Sequence, residues 1–240
     1  MRNDSILKKV IRKLMSKFDF FLCDKSLEGI VANLGNKYGY KNTRHIQKPV
    51  DSDQAPIPWF TYPAIEYLSQ LNLSDKSVFE WGSGNSSLFF AKQSKQITSV
   101  ESDEKWHEYV SQCSLPNQKL IFRNEANFVN SIDELSSTFD VIIIDSLKRY
   151  ECALKAVSYL NRGGLIILDN SDWHPKTSAF LRDDSNLIEV DMHGFGPIND
   201  YSWTTSLYFH REFRFLPKDN IQPVFSKAAI HQVSEDDGIP

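Results

Sequence analysis

Glu80-Trp-Gly-Ser-Gly-Asn-Ser86 combines the residue types that a tight, ligand-facing turn needs. Gly82 and Gly84 permit backbone conformations closed to other residues and a close approach to a bound molecule. Glu80, Ser83, Asn85 and Ser86 supply polar groups around them. A dinucleotide-binding turn carries a third glycine where this chain has Ser87, and Glu80 would repel a pyrophosphate. The same carboxylate could hold a ligand ammonium, directly or through water. Glu101 follows Gly82 by about 20 residues, the interval at which nucleotide-binding α/β folds place an acid on ribose hydroxyls. Either carboxylate alone could be an ordinary strand-end surface acid. The two at this spacing point to an adenosine-containing ligand.

A second constellation is Asp145, Lys148, Asp169 and Asn170, with Asp172 and His174 just beyond. Two carboxylates and an amide oxygen at the ends of adjacent strands are hard ligands that could hold an octahedral Mg²⁺, which would lower the pKa of a bound hydroxyl. Acids at strand ends are also common where no metal binds. Without metal the site must align its reactants and take up one proton, and His174, His193, Asp145 or Asp172 could be that base. His174 is the best placed of the histidines because it directly follows a strand, although a histidine is more often structural than catalytic. Trp59, Phe60, Tyr62, Trp173, Phe195, Tyr201 and Trp203 fall in segments expected near the same edge. They could wall a pocket for a sugar or an aromatic ring, or pack the core and a lid.

These residues need a scaffold, and the hydrophobic pattern supplies one. Short apolar runs at Ser77–Trp81, Gln96–Glu101, Lys119–Arg123, Phe139–Asp145 and Gly164–Asp169 read as strands, with helices predicted at 87–93, 104–113 and 150–160 between them. Strands alternating with helices imply a parallel sheet covered on both faces, and continuous apolar runs are what doubly buried strands carry. The runs Leu187–His193 and Trp203–His210 are joined by a loop too short for a helical crossover, so they are predicted to be antiparallel neighbours. Pro63 suits the first turn of a helix carrying Ile65, Leu68 and Leu71. Residues 35–58 show no sustained period and read as a linker or lid. The expected organisation is 1–58 as an amphipathic helix with this linker, 59–211 as the α/β body, and 212–240 as a loosely ordered tail.

The chain's 240 residues carry 27 Lys and Arg against 31 Asp and Glu, a net charge of −4, so no basic field argues for a nucleic-acid partner. No apolar run is long enough to span a bilayer. Cys23, Cys113 and Cys152 are widely spaced and odd in number, which suggests a reducing compartment, and residues 1–20 lack the pattern of a secretory signal. The cytoplasm is the expected location. Ile6, Leu7, Val10, Ile11, Leu14, Met15 and Phe18 mark one face of a basic amphipathic helix. That face is expected to pack on the body or a second subunit, as in a homodimer; the alternative is a peripheral contact with an anionic membrane.

The chain resembles the class I S-adenosylmethionine-dependent methyltransferases over roughly residues 59–211. The likeness rests on Val78-Phe-Glu-Trp-Gly-Ser-Gly-Asn-Ser86, Ser99-Val-Glu-Ser102, Phe139-Asp-Val-Ile-Ile-Ile-Asp145, Gly163-Gly-Leu-Ile-Ile-Leu-Asp-Asn170 and the terminal hairpin. It is similar, more narrowly, to small bacterial methyltransferase-like proteins with E-x-G-S-G-N-S, I-D-G-x-x-R-x-x-C, D-N-S-D and G-F-G-P segments, except that Ser146 replaces the usual glycine. The resemblance implies a Rossmann-like α/β fold: a seven-stranded, mostly parallel sheet of order 3-2-1-4-5-7-6 with strand seven antiparallel and helices on both faces. It implies that Gly82 and Gly84 flank the methionine part of S-adenosylmethionine, that Glu101 binds both ribose hydroxyls, and that Asp145 faces the reacting end. Asp145 with Lys148 and Asp169-Asn170 also resembles the metal-dependent catechol-type O-methyltransferases. The expected activity is methyl transfer to an oxygen of a small molecule or glycan precursor. The competing readings are a non-catalytic nucleoside-binding protein of the same fold and an NAD-dependent oxidoreductase.

Overall fold

The structure is a computed structural model describing residues 25–232 and residue 234. The amphipathic segment predicted at 6–18 lies outside the described residues. The first described elements are α1 (Lys25–Ala32) and α2 (Tyr40–Ile46), followed by α3 (Tyr62–Gln70). The body then runs β1 (Ser77–Trp81), α4 (Asn85–Ala91), β2 (Gln96–Glu101), α5 (Glu104–Ser111) and β3 (Gln118–Phe122). After α6 (Glu125–Phe128) come β4 (Phe139–Ile144), α7 (Arg149–Tyr159) and β5 (Leu160–Asp169). The short helix α8 (Pro175–Ala179) leads to β6 (Ile188–Gly194) and β7 (Trp203–Phe209).

The strands form one seven-stranded sheet in the order β3-β2-β1-β4-β5-β7-β6. All neighbours are parallel except at β7, which runs antiparallel to β5 and β6. The order and the reversed strand are those expected. Alternate side chains of each strand enter opposite layers. Val78, Val141, Ile143, Leu165 and Ile167 pack with Ile65, Leu68 and Phe90 on one face. Phe79, Trp81, Ile142, Ile144, Ile166 and Leu168 pack with Cys152, Ala153 and Ala156 on the other. Both layers are mainly apolar at the central strands β4 and β5, which is why those sequences read as unbroken hydrophobic runs.

Register decides what meets at the carboxyl edge. Trp81 lies opposite Val100 on β2 and opposite Ile144 on β4. The residues one step further along, Gly82, Glu101 and Asp145, therefore leave the sheet side by side. On the far side of β5, Asp169 is opposite Thr205 of β7.

Two segments are more ordered than the sequence suggested. The stretch 35–58 contains α2, whose Tyr40 hydroxyl donates to Asn199 O at 3.0 Å and whose Arg44 Nη1 donates to Ile198 O at 2.9 Å. Those partners lie on the β6–β7 loop, so polar contacts, together with Tyr40 packing on the core, hold α2 without a continuous apolar stripe. The segment after β7 runs back over α3 and α4. Phe213 and Phe215 pack against the core, Lys218 Nζ donates to Gln93 Oε1 at 2.9 Å, and Lys227 N donates to Glu66 Oε1 at 2.7 Å. Among the described residues, no helix is long and apolar enough to cross a membrane.

Candidate functional site

The turn after β1 is threaded between its neighbours. Gly82 N donates to Val100 O at 2.9 Å, and Asp145 N donates to Trp81 O at 3.1 Å. Gly82 has φ +120°, and a Cβ there would lie 2.9 Å from Asp145 O. Only glycine satisfies both the conformation and the space.

Glu80 is turned into the protein interior. It is 1% exposed, and its oxygens accept from Ser87 Oγ at 2.5 Å, from Ser99 Oγ at 2.8 Å and, more closely still, from Ser86 Oγ. Burial raises its pKa to about 7 against the opposing pull of these hydroxyls. Both Glu80 oxygens are thus occupied by serine hydroxyls, and Glu80 and Ser86 clasp each other beneath the turn. Ser87, in the place of a third fingerprint glycine, completes that clasp.

Glu101 occupies the position expected of it. It is 7% exposed at the end of β2. Its Oε1 accepts from the N–H groups of Ser102 at 2.7 Å and Asp103 at 2.9 Å, while Oε2 accepts from Ser83 Oγ at 2.8 Å. A carboxylate has about four acceptor sites, so Oε2 retains capacity for a further hydroxyl. Asn85 Nδ2 donates to Pro49 O at 2.6 Å, and Trp106 Nε1 donates to Ser83 O at 2.9 Å. The segment after α2 and the indole of Trp106 thereby wall a cleft of about 280 Å³ that is lined by Ser83, Gly84, Asn85, Ser86 and Asp145.

A second hollow of about 250 Å³ lies beside the first, lined by Trp59, Asp145, Asp169, Asn170, Trp173, Asn199, Tyr201 and Trp203. Trp59 and Asp145 belong to both, so the two spaces meet there. The wall bearing Trp59 is fixed by Tyr62 N donating to Phe195 O at 2.8 Å. Of the other aromatic candidates, Phe60 and Tyr62 are buried in the core and Phe195 is exposed.

Asp145 is partly shielded, and burial pushes its pKa up to about 6 while Arg149 pulls it down. Asp169 is 3% exposed. Its Oδ1 accepts from Thr205 Oγ1 at 2.6 Å and Trp203 Nε1 at 3.0 Å, and burial together with the neighbouring Asp145 raises its pKa. Lys148 is not brought to these acids. Its φ of +51° sends the side chain the other way, where Nζ donates to Glu125 O at 3.1 Å and pairs with Glu125 Oε1 at 3.5 Å. The next residue takes the place intended for it. Arg149 donates to Ser146 O at 3.1 Å, Asp169 O at 2.6 Å, Asn170 Oδ1 at 3.0 Å and Asp145 Oδ1 at 3.1 Å. Arg149 is the arginine of the I-D-G-x-x-R-x-x-C segment, whereas the likeness to the catechol-type O-methyltransferases points to Lys148.

The remaining bases are placed less favourably. His174 lines neither hollow; burial and the nearby Arg149 lower its pKa. His193 Nδ1 is bonded to Thr204 Oγ1 at 2.6 Å, and Asp172 Oδ1 accepts from Thr204 N at 3.2 Å. Among the described residues, no group of three His, Cys, Asp or Glu side chains is arranged to hold a metal ion.

No family model and no curated protein sequence matches the chain. Solved structures do. A precorrin-6y C5,15-methyltransferase from Geobacter metallireducens matches with a TM-score of 0.50 at 14% identity, covering 61% of this chain and 86% of that one. The N-methyltransferase NodS from Bradyrhizobium japonicum matches at 0.48 and 12% identity over 72% of this chain and 97% of its own. M. jannaschii TYW2, solved with AdoMet, matches at 0.45 and 15% identity over 67% and 79%. The strand order, the single reversed strand and the precorrin enzyme's likeness define the fold. This chain has the Rossmann-like fold of the class I S-adenosylmethionine-dependent methyltransferases.

Proposed function

We propose that the protein transfers a methyl group from S-adenosylmethionine to an oxygen of a small molecule or glycan precursor. The carrying observation is that two hollows meet at Asp145, one lined by the glycine turn, whose Ser83 is bonded to Glu101, and the other lined by several aromatic side chains. When bound, S-adenosylmethionine supplies an electrophilic sulfonium methyl, and transfer to a hydroxyl leaves a neutral thioether and one proton. The chain's own residues have three tasks. Glu101 accepts from ribose hydroxyls, the Gly82–Gly84 turn lets the backbone approach the methionine portion, and Asp145 accepts the proton. At pH 7 a carboxyl with a pKa of about 6 is mostly ionised yet close enough to neutrality to act as a base. Trp59, Trp173 and Tyr201 offer ring faces beside Asn170 and Asn199, a mixture of apolar planes and amides suited to a polyhydroxylated acceptor.

Calorimetric titration with S-adenosylmethionine and S-adenosylhomocysteine tests this reading. Saturable one-to-one binding of both is expected; binding of neither at millimolar concentration defeats it. Incubation with methyl-labelled donor and panels of sugars and hydroxylated aromatics then separates the acceptor classes.

A further inference from the structure

Two carboxylates and an amide oxygen at adjacent strand ends form a hard-ligand set, yet in this fold a side chain already stands among them. We propose that the guanidinium of Arg149 is the resident cation of this site, in the place a divalent ion would need, and that the protein works without a bound metal. Arg149 opens α7, and its side chain is only 11% exposed. Four of its five N–H donors are engaged: Nε with Ser146 O, Nη1 with Asp169 O and Asn170 Oδ1, and Nη2 with Asp145 Oδ1. Two of the oxygens that an ion would bridge, Asp145 Oδ1 and Asn170 Oδ1, are thus already bridged by the guanidinium. Asp169 Oδ1 is given to Trp203 and Thr205 and its main-chain oxygen to Arg149, which leaves only Oδ2 of that carboxylate for any other partner. What remains for a metal is one oxygen each of Asp145 and Asp169, both beside a permanent cation. A guanidinium keeps its charge at any pH the protein meets and holds planar, multidentate geometry.

The arrangement makes Arg149 a positioning residue. It fixes the carboxylate of Asp145 against the end of β5, and its second Nη2 N–H has no partner among the described residues, leaving one donor for an acceptor oxygen. That last role rests on the methyl-transfer reading above, whereas the exclusion of a metal does not.

Titration of the full chain with Mn²⁺, followed by the loss of the free-ion electron paramagnetic resonance signal, tests the proposal without donor or acceptor. The wild type is expected to leave the signal unchanged at millimolar Mn²⁺. Arg149→Met removes the charge at similar length and is expected to gain a one-to-one site that a second substitution, Asp145→Asn, abolishes. Arg149→Lys keeps a cation and is expected to fold and stay Mn²⁺-free; that result beside an unfolded Arg149→Met also supports the cation's role. One-to-one Mn²⁺ binding to the wild type that Asp145→Asn removes overturns the proposal, as does a folded Arg149→Met that gains no site. Calorimetry with S-adenosylhomocysteine on the same wild-type sample separates the two readings. Absence of its binding defeats methyl transfer and leaves the Mn²⁺ result standing.

Discussion

Ser83 and Glu101 are joined by a hydrogen bond of 2.8 Å from the serine hydroxyl to Oε2, tying the turn after β1 to the end of β2. With Oε1 pinned by two backbone N–H groups, the carboxylate is set in place before any ligand arrives. Glu101→Ala should weaken S-adenosylhomocysteine binding by about 1.5 to 3 kcal/mol, the scale of hydrogen bonds to a charged group, or roughly 10- to 150-fold in Kd. Isothermal calorimetry measures it directly. An unchanged Kd would put the ribose elsewhere.

Gly82→Ala should damage both hollows at once. The added Cβ would meet Asp145 O at 2.9 Å, from a residue whose φ is +120°. Strain of this kind costs on the order of 1 to 3 kcal/mol. The turn and the end of β4 would have to move apart, displacing Asp145 as well. A lowered thermal midpoint together with weaker S-adenosylhomocysteine binding is expected. A variant that keeps both at wild-type values would show that the turn has slack the structure does not display.

Glu80 predicts a pH dependence of stability. Its folded pKa of about 7 lies above the ordinary carboxylate value, so the folded state binds the proton more tightly than the unfolded chain. The sign follows from linkage: stability from this group is greatest at low pH and is lost as pH rises from about 4.5 to about 7, then levels off. The span corresponds to on the order of 3 kcal/mol. Glu80→Gln keeps the shape and removes the titration, so its unfolding free energy should vary less over that window than the wild type's. Urea melts from pH 5 to pH 8 would show this, and parallel curves for the two proteins would refute it.

Much of this was legible because the sheet is buried on both faces: Val141, Ile142, Ile143 and Ile144 have nowhere to go but a core, and an unbroken β-branched run says so. Glu101 was legible because the interval from Gly82 is fixed by one helix and one strand. The surroundings of Glu80 were not legible because its partners, Ser86, Ser87 and Ser99, come from two different elements, and sequence alone does not say that three hydroxyls converge on one carboxylate. The helix Tyr40–Ile46 was missed for a related reason. Its anchors, Asn199 and Ile198, lie more than 150 residues away, and no apolar stripe marks it. Lys148 was singled out by the likeness to the catechol-type O-methyltransferases, and the structure places Arg149, not Lys148, against Asp145. Lys148 itself adopts a left-handed backbone at the helix N-cap, which a lysine does not signal in sequence.

That choice can be checked through Asp145. Arg149 is the neighbour that lowers the Asp145 pKa against the effect of burial, giving the value of about 6, whereas the Lys148 ammonium is paired with Glu125 across 3.5 Å at the surface. Arg149→Met should therefore move the Asp145 titration upward from about 6, and Lys148→Ala should leave it in place, as read by carbon-detected NMR of the aspartate carboxyls. Lys148→Ala should also change the unfolding free energy by no more than about 1 kcal/mol, as expected for an exposed ion pair. In a transfer assay the rate should rise with pH through the Asp145 pKa, because only the ionised form accepts a proton. The rising limb should shift to higher pH in the Arg149 variant alone. A shift in the Lys148 variant instead would return the lysine to the site and remove the arginine from it.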